Sequence, residues 1–144
     1  MSVKIAWDCL RFRDFKAYLF SPSQDQSLEL FRRIPKHLSR CEFPMIRDSF
    51  RVKGNTIYFG GDEWGSFAKV LLVGLDAQRA RGKHVHFGYL VGDEINAHHD
   101  ARVIHDVLLP SIGTGGGLVY MSSPGEADPD NFMYRTFLDW GALE

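Results

Sequence analysis

The sequence lacks several features that would place it quickly. Its 144 residues contain two cysteines, Cys9 and Cys41, and neither sits in a C-x-x-C pair. That excludes a disulfide framework and fits a reducing cytosol. No apolar run reaches the roughly 18 residues that a membrane-spanning helix needs. Residues 1–10 alternate charged and apolar groups and contain no signal-peptide core. Internal repeats, low-complexity stretches and linkers are missing too. So is any G-x-x-x-x-G-K-S/T, because the glycine cluster from Gly113 to Gly117 carries no lysine. Such a loop supplies the backbone amides and the lysine that cradle a nucleotide's phosphates.

What is present describes one folded domain. Hydrophobic residues make up 44% and aromatics 13%, enough to build a core, while charged residues make up an ordinary 24%. The net charge of -1 conceals an asymmetry. Residues 1–55 hold 11 Lys and Arg against 6 Asp and Glu, and residues 56–144 hold 6 against 12. A basic part suits phosphate, and an acidic part suits a metal or a basic partner, unless both are solvated faces.

Apolar spacing predicts a helix from Val3 to Phe15 on Ile5, Cys9 and Phe12. Lys16 to Phe20 reads as a buried strand. Ser23 is the N-cap of a helix over Gln24 to Ser39, with Leu28, Phe31, Ile34 and Leu38 on one face and a possible kink at Pro35. Phe50–Val52 and Thr56–Phe59 flank a Lys-Gly-Asn turn and predict a hairpin. Further strands are expected at Ala68–Leu75, Val85–Val91 and Leu118–Met121, helices at Ala97–Leu109 and Asp130–Trp140, and a glycine-rich turn at Gly113–Gly117. Alternating helices and apolar strands imply an α/β layer fold with a mainly parallel sheet.

Ligands of open α/β sheets bind beyond the carboxyl ends of the strands. Phe87-Gly-Tyr-Leu-Val-Gly ends in Asp93-Glu94, the form of a Walker B element. In that chemistry Asp93 holds Mg²⁺ through its water shell and Glu94 orients and deprotonates the attacking water. The bland alternative is a solvated turn. Leu118–Met121 ends in Ser122-Ser123-Pro124, about 30 residues further on, a spacing that suits one crossover. Two hydroxyls there can sense a γ-phosphate, or simply begin a turn.

In order and spacing these segments resemble the ATPase domain of phage terminase large subunits, motors that package double-stranded DNA. Ala17-Tyr-Leu-Phe-Ser-Pro-Ser-Gln-Asp-Gln26 resembles the strand, turn and Gln-bearing helix that follow the family's Walker A helix. Gly54 to Gly60 resembles its hairpin, Arg79-Ala-Arg-Gly82 its Arg-Gly element, and Gly88 to Glu94 its Walker B strand. Met121-Ser-Ser-Pro-Gly125 and Asn131 to Tyr134 resemble the coupling motif and the helix after it. The resemblance covers most of the chain.

It implies a three-layer, P-loop NTPase-like sheet that lacks the Walker A strand and loop, a single partial ATPase domain over residues 1–144. It assigns Glu94 as catalytic base, Asp93 as the Mg²⁺ residue, Ser122 and Ser123 to coupling, and Arg79 and Arg81 to phosphate or subunit contacts. ATP and Mg²⁺ are the implied cofactors. The implied partners are double-stranded DNA, a portal protein, a small terminase subunit and further copies in a homo-oligomeric motor, in the host cytoplasm. Two departures are the missing P-loop and the missing nuclease domain; Gly92 is a milder one, standing where an apolar residue is usual. The expectation is therefore a truncated or split ATPase with poor activity alone.

Two other readings stay open. His84, His86, His98, His99 and His105, with Asp100 and Asp106, have the ligand chemistry of a divalent-metal phosphohydrolase. A non-catalytic binding module is the third reading, with the basic N-terminal part on a DNA backbone and Trp7, Trp64 or Trp140 stacking on bases or packing in a core.

Overall fold

The computed structural model describes residues 1–21, 23–71, 85–94 and 112–122, together with Pro110, Tyr134 and Leu138. The first element, α1 (Ser2–Arg11), buries Ile5, Ala6 and Cys9. It stops four residues before the expected Phe15, because Phe12 turns extended and Asp14 takes a left-handed φ of 58°. Phe15 is still buried, but from a connecting segment. Then come β1 (Lys16–Phe20) and α2 (Gln24–Ser39), both with the expected bounds. Helix α2 runs through Pro35 without interruption in its assignment. Phe31, Ile34 and Leu38 supply its buried stripe at the i, i+3, i+7 spacing of one helix face.

A short helix that the periodicity did not reveal, α3 (Pro44–Arg47), opens with proline at its first position, where the missing N–H costs nothing. The hairpin follows as expected. β2 (Phe50–Lys53) pairs antiparallel with β3 (Thr56–Phe59), and Gly54 in the loop takes a φ of 58°. Next are β4 (Phe67–Val70), β5 (Val85–Asp93) and β6 (Ile112–Met121).

These strands form one sheet in the order β2-β3-β4-β1-β5-β6. β1 is parallel to both β4 and β5, and β5 is parallel to β6, so the central and far strands are parallel. The hairpin makes the opposite edge antiparallel. α1 and α2 share one hydrophobic cluster with this sheet, including Ile5, Cys9, Leu19, Ile34, Ile57, Val70 and Val91. Each such fully buried Ile or Leu stabilises the fold by about 1.5–3 kcal/mol over exposure.

The glycine cluster corrects one expectation. Gly113–Gly117 is no turn; it is part of strand β6, paired with β5. Glycine is a turn signal by composition, yet here the cause is close backbone approach. The register between Val85 and Phe87 is irregular, and a Cβ on Gly116 would lie 2.3 Å from the Val85 carbonyl oxygen. Gly88 is more constrained still. Its φ is 137°, and a Cβ there would lie 1.9 Å from the Lys16 carbonyl oxygen.

The expected helix at Ala97–Leu109 lies outside the described residues. Of the last expected helix, Tyr134 and Leu138 are described, and both are helical. No helix among the described residues is long and apolar enough to cross a membrane.

Candidate functional site

The parallel strands bring their carboxyl ends to one edge. Phe20 pairs with Gly92, and Asp93 pairs with Met121. One step further along each strand come Ser21, Glu94 and Ser122. Asp93 is the last residue of β5 and is half-buried. Tyr89, Val91, Val119 and Met121 pack against the cluster beneath α1 and α2. Strand alternation puts Asp93 on that same face.

Glu94 adopts a left-handed φ of 54°. Outside glycine this conformation costs about 1–2 kcal/mol, and such costs gather at functional sites. Its backbone N–H donates to Asp93 Oδ1 at 3.1 Å, which ties the two acidic residues into one turn.

The first turn of α2 is fastened to the same edge. Ser21 Oγ and Ser27 Oγ are 2.8 Å apart, both side chains are buried, and Ser21 Oγ also donates to the Ser23 carbonyl. The α2 face next to this turn forms a shallow, open cleft with Asp93. Gln26, Glu29, Leu30 and Arg33 line its helical wall. Arg33 pairs with Glu29 one turn away on the exposed surface. Sequence reasoning had placed Gln26 on this helix but not beside Asp93. Glu29 and Arg33 were missed, because an i, i+4 ion pair is an ordinary feature of any exposed helix.

The direction of α1 also bears on this edge. Its last turn lies at the opposite end of the sheet, where the Trp64 indole N–H donates to the Cys9 carbonyl at 2.8 Å and Ser66 Oγ donates to the Phe12 carbonyl at 2.6 Å. Nearer its start, Lys4 Nζ donates to Asp8 Oδ2 at 2.6 Å and to the Tyr89 hydroxyl of β5 at 2.9 Å. The Asp8 bond, then the Tyr89 bond, holds the Lys4 ammonium above the ordinary lysine range. The helix therefore runs with its N-terminus, the positive end of its dipole, toward the edge that carries Asp93. Trp64 is a packing residue, with Arg13 over its ring.

Ser122 follows β6 directly and is half-buried. Ser123, Arg79 and Arg81 lie outside the described residues. So do His84, His98, His99 and His105 of the metal reading, with Asp100 and Asp106, and also Trp140. His86 is exposed on β5, its ring beside Gly113. Among the described residues no three His, Cys, Asp or Glu side chains converge as metal ligands.

No protein-family model and no curated protein matches this sequence. Among solved structures the chain is similar to the large terminase ATPase domain of Thermus phage P74-26, with a TM-score of 0.61 and 14% sequence identity. The match covers 90% of this chain and 55% of that one, so this chain spans about half the length of its structural neighbour. At that identity the likeness is one of fold: a mixed α/β architecture similar to that of the terminase ATPase domain.

Proposed function

We propose that this chain is part of a terminase-like ATPase that powers the movement of double-stranded DNA into a phage capsid. The observation that carries the reading is the turn at the end of β5. Half-buried Asp93 and left-handed Glu94 stand at the carboxyl edge of a sheet whose fold is similar to that of a large terminase ATPase domain, with Ser122 at the end of the neighbouring strand.

The residues present fit Mg²⁺ in their chemistry. Asp93 offers a hard oxygen donor, and only one of its two oxygens accepts the Glu94 amide. Asp93 would hold the ion through its water shell, and the ion would supply positive charge against the phosphates. Glu94 takes the proton of the attacking water. Ser122 and Ser123 respond to the γ-phosphate, and Arg79 and Arg81 contact phosphate or a neighbouring subunit. The domain is read as a partial ATPase core over residues 1–144, with portal protein, small terminase subunit and further copies as its partners in the host cytoplasm.

This sequence contains no phosphate-cradling loop, so hydrolysis by the chain alone is expected to be negligible. The test is to fuse a β-strand and a G-x-x-x-x-G-K-S/T loop ahead of Met1, then measure ATP binding and turnover. The expected result is turnover in the fusion. Glu94→Gln should lower that turnover by about 10²–10⁴-fold with ATP binding retained. A fusion that binds ATP with turnover indifferent to Glu94→Gln removes Glu94 from the mechanism. Ordinary turnover by the unfused chain overturns the split-ATPase reading.

A further inference from the structure

The outer side of α2 carries a row of cations that neither the core nor the acidic edge uses. Phe31, Ile34 and Leu38 bury the inner side of this helix. At 3.6 residues per turn, Arg32, Lys36 and Arg40 fall one above the other on the opposite side, and all three are exposed. No acidic residue occurs between Leu30 and Cys41. Arg33 is answered by Glu29, whereas Arg32, Lys36 and Arg40 form no ion pair among the described residues.

Such a row costs stability. Arg32 with Lys36, and Lys36 with Arg40, are like charges four residues apart, a spacing that penalises equal signs by about 0.2–0.5 kcal/mol per pair. The helix dipole rewards cations in the last turn, so it accounts for Lys36 and Arg40 but not for Arg32, two turns before the helix ends. Solubility asks for charge of either sign, and the Glu29–Arg33 pair on the same helix supplies it without repulsion. An anion laid on the row turns that repulsion into attraction.

The geometry selects the anion. The row is about 12 Å long, with about 6 Å between successive cations. The three cations therefore do not converge on one phosphate group, and a single nucleotide does not fill the row. A polyanion does. At about 3.4 Å of axis per phosphate on one strand of a duplex, three or four phosphates lie along it. Two of the three cations are arginines, whose planar fork takes phosphate oxygens in pairs. A helix on a membrane surface needs its apolar stripe free, and the stripe of α2 is buried in the core. Single strands are held by stacked aromatics, and the row contains none. A protein partner needs an apolar anchor. The apolar groove lined by Trp7, Cys41 and Ile46 meets α2 at His37 and Leu38, on another side from the row.

We infer that Arg32, Lys36 and Arg40 form a contact row for the phosphate backbone of double-stranded DNA, without regard to base sequence. The choice of the duplex rests on the packaging reading; the cationic row does not.

The experiment uses the full chain without nucleotide and a short labelled DNA duplex of mixed sequence. Fluorescence anisotropy gives Kd over a salt series. The expected result is saturable binding whose log K falls against log salt with a slope of about 2.7 or steeper, the value for three phosphate contacts. Arg32→Gln, Lys36→Gln and Arg40→Gln together should weaken binding at least tenfold at low salt and flatten the slope by about 2–3. The same triple variant should melt at or above the temperature of the unaltered chain, because its like-charge pairs are gone. A lower melting temperature would make the row structural and overturn the proposal. Arg11→Gln, Arg13→Gln and Lys53→Gln together remove the same charge from other exposed positions and should leave Kd largely unchanged. Equal losses in the two triple variants overturn the row in favour of diffuse charge. Absence of duplex binding by the unaltered chain overturns it as well, as does tighter binding of a single strand or of poly-glutamate. The assay contains no ATP, so its failure leaves the turnover test of Glu94 in the loop-bearing fusion standing, and failure of that test leaves this one standing.

Discussion

Strands β1 and β4 bury Ala17, Leu19, Ala68 and Val70 completely, whereas β6, ten residues long and hydrogen-bonded along β5, has no residue that is fully buried. β1 is a central strand covered by α1 and α2. β6 is the edge strand among the described residues and carries four glycines and no charge. Strand pairing and burial are thus separate sources of order in this sheet. Around β1 the side chains are fully buried, and around β6 the backbone ladder is joined by the half-buried Val119 and Met121, which reach the same cluster. The acidic turn lies between these two regimes. Asp93 is at the end of β5, which has β1 on one side and β6 on the other.

The largest expected effect breaks the joint between the two halves. Gly88→Ala would place a methyl on the Lys16 carbonyl at a φ of 137°. It should cost more than about 3 kcal/mol, combining backbone strain with overpacking. Chemical denaturation should then show loss of the cooperative transition or a large fall in its midpoint.

A matched pair of truncations sharpens the comparison. Leu19→Ala removes a fully buried side chain of β1 and should cost about 2–5 kcal/mol. Val119→Ala, at a half-buried position of β6 on the same face of the sheet, should cost under about 1.5 kcal/mol. Urea melts of the two variants check this, and equal losses would erase the distinction between the halves.

Glu94→Gly should act in the opposite direction. Glycine accepts the left-handed backbone without its cost, so the variant should gain about 0.5–1 kcal/mol. A gain in thermal midpoint together with lost turnover in the loop-bearing fusion would mark Glu94 as a residue kept for chemistry. A loss of stability would mean that its side chain is structural.

The smallest effect is chemical. Burial pushes the Cys9 thiol above the ordinary cysteine range, so its reactive thiolate forms only at higher pH. Cys41 is half-buried in the groove wall. Native protein should alkylate at Cys41 first at pH 8, with Cys9 joining on unfolding, and mass spectrometry of the digested peptides would show the order. Early labelling of Cys9 would show that the packed half opens more readily than its burial implies.

Much of this was legible before any coordinates. The stripe Phe31, Ile34, Leu38 marked α2 because a 3.6-residue period places those positions on one side. The Lys-Gly-Asn sequence between two β-rich runs marked the hairpin for the same local reason. The Asp93-Glu94 pair was visible as two acids directly after an apolar strand, a pattern that suits a metal-binding strand end or a solvated turn. The end of α1, the existence of α3 and the strand character of Gly113–Gly117 were not visible. The first and the last depend on a distant neighbour, Ser66 Oγ on the Phe12 carbonyl and the β5 carbonyls beneath the β6 glycines, whereas α3 is a single local turn too short to show a period.

The sequence by itself therefore determined the alternation of elements, the mainly parallel class and the acidic pair, since periodicity and strand-end chemistry act over a few residues. Only the tertiary structure decided that Gln26, Glu29 and Arg33 share a cleft with Asp93, that Glu94 sits in a left-handed turn, and that Trp7 lines an open apolar groove between α1, the end of α2 and α3. Those facts come from the order in which strands join the sheet and from the two helices packed across it, and that order is set by the total burial of the chain.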